Sequence, residues 1–201
     1  KDGLSVALVS DAGLPSISDP GEYLINIARQ NNLEIVCSPG PCAALAGLVT
    51  SGLPCNNFLF IGFIPRKGKE REKCFRMISN SIHTTIVYES PKRIKLFLKD
   101  LNKYCEDKRI IHIAKEMTKK HESHWNGTLK IITQEIQLTE PRGEFTIIIG
   151  GNKLIKELPE IDYQGIKKDL EELINLGLKR SSAAIYLAKK NGISKNLIYN
   201  L

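Results

Sequence analysis

The sequence contains no apolar run approaching the roughly 20 residues of a membrane-crossing helix, which excludes a helical membrane span. Its opening residues carry no signal-peptide pattern. It has no Cys-x-x-Cys pair. The five cysteines (Cys37, Cys42, Cys55, Cys74 and Cys105) are odd in number and widely spaced. They read as reduced thiols of a cytoplasmic protein, not as disulfides or a zinc site. There is no Gly-x-x-x-x-Gly-Lys-Ser/Thr phosphate loop and no His-Glu-x-x-His. Among His83, His112, His121 and His124 only the last pair is close in sequence, and no thiol or carboxylate completes a ligand pattern. No metal is expected. Internal repeats and low-complexity segments are also missing.

What is there is a soluble globular composition: 201 residues, 42% hydrophobic and 25% charged. That length holds one large or two small domains. The net charge of +7 favours an anionic partner such as nucleic acid wherever the cations cluster.

The chain is organised around Val6 to Gly21, Val-Ala-Leu-Val-Ser-Asp-Ala-Gly-Leu-Pro-Ser-Ile-Ser-Asp-Pro-Gly. Val6 to Val9 has the pattern of a buried parallel strand, and a dense set of turn formers follows it. Glu22 to Gln30 then suits a helix. The loop stands at a strand's carboxyl end, where open α/β sheets bind ligands. It is longer than the ~2–6 residues usual for an ordinary βα connection, which is the alternative. Glu34 to Cys37 is a second strand candidate, running into Ser38-Pro39-Gly40-Pro41-Cys42 and a helix opened by small residues, Ala43, Ala44, Ala46 and Gly47. Such a helix start leaves N–H groups free and lets a flat ligand approach. Close helix–sheet packing would use the same residues. A buried-type strand so near Lys1 implies further sequence upstream.

A domain boundary is expected near Asn56-Asn57. The divisions are 1–56, 57–152 and 153–201. In the second part, strands at Phe58 to Ile64, Thr84 to Tyr88, Arg109 to Ala114 and Thr146 to Ile149 alternate with helices. His121 to Gly127 reads as a loop with Trp125 near its tip. Glu89, Glu116 and Glu144 all fall at strand ends. Pro65 to Arg76 carries Arg66, Lys67, Lys69, Arg71, Lys73 and Arg76 against Glu70 and Glu72. This is either a solvated helix face or a phosphate-contacting arm. In the tail, Asp162 to Asn175 reads as an amphipathic helix stopped by Gly177. Ser181 reads as the cap of a second helix ended by Gly192, and Ser194 begins a third. Three short helices fit a helix-turn-helix module or a small helical cap.

Seven ordered motifs carry a resemblance. They are Val-Ser-Asp-Ala-Gly-Leu-Pro-Ser-Ile-Ser-Asp-Pro-Gly, Ser-Pro-Gly-Pro-Cys-Ala-Ala-Leu, Ser-Gly-Leu-Pro with Gly-Phe-Ile-Pro-Arg-Lys, Tyr-Glu-Ser-Pro-Lys-Arg, Ala-Lys-Glu-Met-Thr-Lys and Arg-Gly-Glu-Phe-Thr. Together they resemble the tetrapyrrole methylase superfamily, and within it the ribosomal RNA small subunit methyltransferase I branch, over essentially the whole chain. The resemblance implies an α/β fold: two α/β domains, the first incomplete here, with a C-terminal helical module. It implies S-adenosylmethionine as donor and 2′-O-methylation of a cytidine in the decoding region of small-subunit (16S) rRNA. Its partners would be that rRNA or the 30S subunit, with no membrane, and a homodimer is expected. The implied donor-binding residues are Asp11, Ala12, Gly13, Gly40, Pro41, Cys42, Ala43, Tyr88, Met117, Thr118 and Gly143. Glu89, Lys115, Glu116 and Glu144 are candidates for activating the acceptor hydroxyl. Arg66, Lys67, Lys69, Arg71, Arg93, Lys179 and Arg180 are candidates for RNA. The beginning departs from the family: its Gly-Thr-Pro-Ile-Gly-Asn-like loop and Glu-Asp-Thr-Arg-like motif do not occur here. A small-molecule tetrapyrrole methylase and a non-catalytic RNA-binding protein are the competing readings.

Overall fold

The computed structural model describes residues 3–152, 163–191 and 195–199. The chain divides into two compact units, Lys1–Glu157 and Leu158–Leu201.

The first unit is built on a five-stranded sheet in the order β1-β2-β5-β3-β4. Its strands are β1 (Phe58–Phe63), β2 (Thr84–Glu89), β3 (Ile110–Lys115), β4 (Ser123–Thr128) and β5 (Phe145–Ile149). β1 and β2 run parallel, while β5 is antiparallel to both β2 and β3. The carboxyl ends of β1–β3 therefore share one edge of the sheet with the amino ends of β4 and β5. The central strands read as continuous apolar runs because both of their faces are covered. On one face, Val87, Ile111, Ile113, Phe145, Ile147 and Ile149 pack against α3 (Lys69–Asn80), α4 (Ile94–Leu101) and α5 (Leu129–Gln137). Each fully buried aliphatic side chain there contributes about 1.5–3 kcal/mol. On the other face, Ile86 and Ile148 meet Ala44 and Leu48 of α2 (Ala43–Thr50). A Cβ on Gly47 would lie 2.9 Å from Thr146 Cγ2, so only glycine lets α2 sit this close.

Three expectations are corrected. Val6–Val9 and Glu34–Cys37 are not strands. A strand exists through its ladder to a neighbour, and neither segment has one among the described residues. Val6, Val9 and Val36 are accordingly 82%, 81% and 82% exposed. The helix at Glu22–Gln30, α1, does form, but it buries none of its residues. His121 to Gly127 is not simply a loop: Ser123–Thr128 is the edge strand β4, and Trp125, opposite Ile113, packs on the core. Of its inward residues Ser123, Trp125 and Gly127 only Trp125 is a large apolar side chain, which hides its alternation.

The second unit holds α6 (Tyr163–Asn175), α7 (Arg180–Asn191) and α8 (Lys195–Tyr199). Ile166, Leu170, Ala183, Ala184, Leu187 and Ile198 form its core. α6 stops as expected at Gly177, where φ is +95° and the Leu178 N–H reaches back to Leu173 O. The capping position of α7 is Lys179, whose carbonyl accepts the Ser182 and Ala183 N–H groups, so Ser181 lies within the first turn. Asp162, Gly192 and Ser194 lie outside the described residues.

Candidate active site

The two small-residue loops meet. Gly13 has φ +75°, and a Cβ there would stand 3.4 Å from Pro41 O. One at Gly40 would touch Leu14 Cδ2 at 3.7 Å. Within the first loop, Ser10 Oγ donates to Ala12 O and Gly13 O at 3.2 and 3.1 Å. Asp11, Ala12 and Gly13 are thereby held in a turn beside Pro41. Ser16 and Ser18 both have positive φ, at 70° and 59°, which is uncommon off glycine. Ser18 lies against Gly62, where a bulge interrupts β1 and a Cβ would approach Ser18 Oγ to 2.9 Å.

The second loop leads into α2. Cys42 precedes the helix with extended backbone and makes no side-chain cap. The capping acceptor comes from β2 instead: Ala44 N–H donates to the Tyr88 hydroxyl at 2.9 Å. The N–H groups of Ala43 and Leu45 find no acceptor among the described residues. Burial, then the neighbouring Cys42 sulfur, pushes the Tyr88 hydroxyl up to about 12, so it keeps its proton. Phe60 and Phe63 flank its ring at 5.2 and 5.7 Å between centroids.

The shared strand edge carries the carboxylates. Glu89 and Lys115 both pair with Phe145 in the sheet register. Glu89, next to Tyr88 in sequence, alternates to the opposite face and is 1% exposed. Its Oε1 accepts from Ser90 N and from Arg93 Nε, each at 2.7 Å, and its Oε2 has no partner. The structure thus does not bring Glu89 to the face that Tyr88 shares with α2. Beyond β3, Glu116 adopts φ +51° and Thr118 +66°. Glu116 N–H donates to Glu144 O, and Glu116 Oε1 accepts from Glu144 N–H at 2.9 Å. Lys119 Nζ reaches Glu116 Oε1 and Glu144 Oε2, both at 2.9 Å. A Cβ on Gly143 would run into the Glu116 side chain. Glu116, Gly143 and Glu144 are therefore one constellation. The Lys119 hydrogen bond and then the Glu144 N–H hold the Glu116 carboxyl below its usual range. The Glu144 and Glu116 carboxylates in turn push Lys119 up. Met117 is half-buried in the same turn, and Thr118 N–H donates to Glu122 Oε2 at 2.7 Å.

Two features escaped the sequence. One is Lys119. The other is a chain on β3 and β4: His112 Nε2 lies 3.2 Å from His124 Nδ1, and His124 Nε2 lies 2.7 Å from Glu122 Oε1. His112 is buried, its Nδ1 has no partner, and burial followed by His124 lowers its pKa. The signal was the 12-residue separation across a hairpin, invisible while β4 reads as a loop. No group of three or more metal-ligating side chains is found among the described residues.

The proposed RNA residues separate. Arg66, Lys67 and Lys69 are exposed. Arg71 is only 8% exposed. Its guanidinium donates to Asp100 Oδ2 at 2.9 and 3.2 Å and to Pro65 O at 3.0 Å, and it covers Phe75. Burial alone would push the Asp100 carboxyl up, but hydrogen bonds from Lys103 and Arg71 hold it below its usual range. Arg71 fastens α3 to α4 and is not available to a phosphate as the sequence suggested. Arg93 is engaged with Glu89 and with Ile64 O. In the second unit, Lys179 is exposed and Arg180 donates to Tyr199 O at 3.0 Å.

Similarity to known proteins places the chain in a family. The family described as Tetrapyrrole (Corrin/Porphyrin) Methylases matches residues 1–133. The crystal structure of the methyltransferase CobJ aligns with a TM-score of 0.53 at 22% identity, over 69% of this chain and 62% of that one. Fold and match define an α/β methylase. A "Ribosomal RNA small subunit methyltransferase I" of Synechocystis sp. is 35% identical over 99% of this chain and 71% of its own length. The protein of the same name from Buchnera aphidicola subsp. Schizaphis graminum is 38% identical over 98% of this chain and 71% of its own. The chain belongs to the tetrapyrrole methylase family, on the ribosomal RNA small subunit methyltransferase I branch.

Proposed function

We propose that the protein uses S-adenosylmethionine to methylate the 2′-oxygen of a cytidine in the decoding region of 16S rRNA. Its substrate is the rRNA or the 30S subunit, and it works as a cytoplasmic homodimer. Residues 1–56 belong to the donor-binding domain, 57–152 form the second α/β domain, and 153–201 are an RNA-contacting tail. The observation that supports this best is the junction of Gly13 with Pro41 at the start of α2, beside the Tyr88 hydroxyl. Glycine and alanine leave room there for a nucleoside, and the unclaimed N–H groups of Ala43 and Leu45 supply donors. These residues fit the donor. Asp11, Ala12, Gly13, Gly40, Pro41, Cys42, Ala43 and Tyr88 would hold it, with Met117, Thr118 and Gly143 across the site.

When bound, S-adenosylmethionine supplies a methyl group made electrophilic by its sulfonium. The protein's larger task is alignment, which can remove about 7–11 kcal/mol of a barrier. A ribose hydroxyl must also begin to lose its proton. Glu116, held ionised by Lys119 and the Glu144 N–H, is a weak base. Glu144 is the more accessible acceptor, its side chain 78% exposed. Lys115 lies on the sheet face of Glu89, and its positive charge helps to keep Glu116 ionised. Glu89 serves by holding Arg93 and the turn after β2.

The test is a map of 2′-O-methylation in rRNA from cells with and without the gene. Loss of one methylated cytidine in 16S rRNA is expected. An unchanged map would overturn the assignment.

A further inference from the structure

We infer that the outward face of α7 is a docking surface for single-stranded RNA, with Tyr186 stacking on an unpaired base. This rests on the rRNA reading above and names a recognition element for it. Ala183, Ala184 and Leu187 point into the small helical core and are buried. At 3.6 residues per turn, Ser181, Ile185, Lys189, Ser182 and Tyr186 then fall on one outward arc of about 140°. All five are exposed, Ile185 at 53% and Tyr186 at 57%.

The chemistry of the arc selects the partner. α7 reads Arg-Ser-Ser-Ala-Ala-Ile-Tyr-Leu-Ala-Lys-Lys-Asn and contains no carboxylate. Among the described residues the acids of this unit lie on α6, where Asp169 takes Lys190 at 3.1 Å. Lys189 makes no ion pair among the described residues, and Lys179 and Arg180 stand at the helix start. Protein–protein interfaces are depleted in lysine. An exposed tyrosine among cations and hydroxyls, with no acid, instead matches the way unstacked RNA bases are held: ring on base, ammonium on phosphate, hydroxyl on sugar or base edge.

The test uses binding of the full-length protein to 16S rRNA over a salt series, with donor affinity, rRNA methylation and sedimentation measured in parallel. Stacking on one base is worth about 1–3 kcal/mol, so Tyr186→Ala is expected to weaken rRNA binding about 5- to 150-fold. The log–log salt slope should stay unchanged, because every cation that faces a phosphate is still in place. Tyr186→Phe, which keeps the ring, should bind as the wild type does. Lys189→Gln should lower the slope by about 0.7, the value for one phosphate on a single strand. Tyr186→Gln, which keeps side-chain length but has no ring, repeats the test should the alanine variant be destabilised. Wild-type affinity in Tyr186→Ala and Tyr186→Gln would overturn the inference. So would a change in oligomeric mass with rRNA binding intact, which would make the face a protein contact. A wild type that binds donor but neither binds nor methylates rRNA would instead overturn the rRNA reading itself.

Discussion

The Tyr88 hydroxyl accepts the Ala44 N–H at 2.9 Å, so the central sheet caps α2, the helix that follows the Gly40-Pro41 loop. One hydrogen bond links β2, whose end carries the acid edge, to the small-residue junction at Gly13 and Pro41. Tyr88→Phe removes that acceptor and leaves the N–H buried behind the ring. Leaving a buried donor without its acceptor costs about 1–3 kcal/mol of stability, so the denaturant midpoint should fall accordingly, and donor affinity in calorimetry should fall with the loosened start of α2.

The same hydroxyl gives a pH signature. Its pKa is raised to about 12 from an ordinary value of 10.0. A raised acid contributes stability that is fully present below the unfolded value and is lost as pH rises through the folded one. Wild-type stability should therefore fall between about pH 10 and 12 more steeply than that of Tyr88→Phe, as read by denaturant midpoints at each pH. Parallel curves for the two proteins would remove Tyr88 as the cause.

The pair of buried Glu89 and half-buried Arg93 predicts an asymmetric mutational pattern. Arg93→Met leaves the carboxylate buried with neither Arg93 nor a partner for Oε2. Breaking a buried pair from one side costs about 3–5 kcal/mol. The double variant Glu89→Leu with Arg93→Met should recover much of that loss in chemical denaturation. If Glu89 only holds the turn, Glu89→Gln will reduce methylation in proportion to lost stability. A variant that is stable yet inactive would make Glu89 a group that acts on the substrate.

The turn that shapes the acid edge depends on Gly143. Its φ is +82°, and an added Cβ would collide with the Glu116 side chain. Gly68 has φ +87° with nothing within 4 Å, so it isolates the backbone cost alone. Alanine at Gly68 should cost about 1–3 kcal/mol, because φ +87° with ψ −175° is a backbone region essentially reserved for glycine. Alanine at Gly143 should cost more and also displace Glu116 from Lys119. The Glu116 carboxyl, followed by NMR, should then titrate nearer its ordinary range. Stability that the lowered Glu116 pKa adds above its unfolded value, and that disappears as pH falls through the folded one, should shrink with it.

The strands of the central sheet were legible because burial on both faces leaves continuous apolar runs, as in Ile86-Val87 and Ile147-Ile148-Ile149. The loops were legible because a junction such as Gly13 against Pro41 tolerates few side chains. Elements defined by partners distant in sequence were not. Val6–Val9 has a strand's composition but no ladder among the described residues. β4 has a ladder but, as Ser-His-Trp-Asn-Gly-Thr, lacks the composition. His112 meets His124 only once that ladder is formed. Lys119 resembles any exposed lysine until the turn folds Glu144 back toward it.

Arg71 is the sharpest case, because nothing local distinguishes it from Arg66, Lys67 and Lys69. The difference is Asp100, 29 residues away, which neutralises Arg71 where α3 meets α4. The four cations should therefore separate by experiment. Replacing Arg66, Lys67 and Lys69 together by glutamine removes exposed charge and no buried partner. The fold and the donor affinity should hold, while the salt slope of rRNA binding falls by about 0.7 for each phosphate no longer neutralised. Arg71→Gln should do the reverse. It leaves Asp100 with Lys103 alone and frees Pro65 O, so stability should fall by about 3 kcal/mol or more, and the slope should stay near that of the wild type at temperatures where the variant is folded. Thermal denaturation and a salt series on both variants decide it. A triple variant with an unchanged slope would make the arm a solvated helix face. A stable Arg71→Gln with a reduced slope would return Arg71 to the RNA surface.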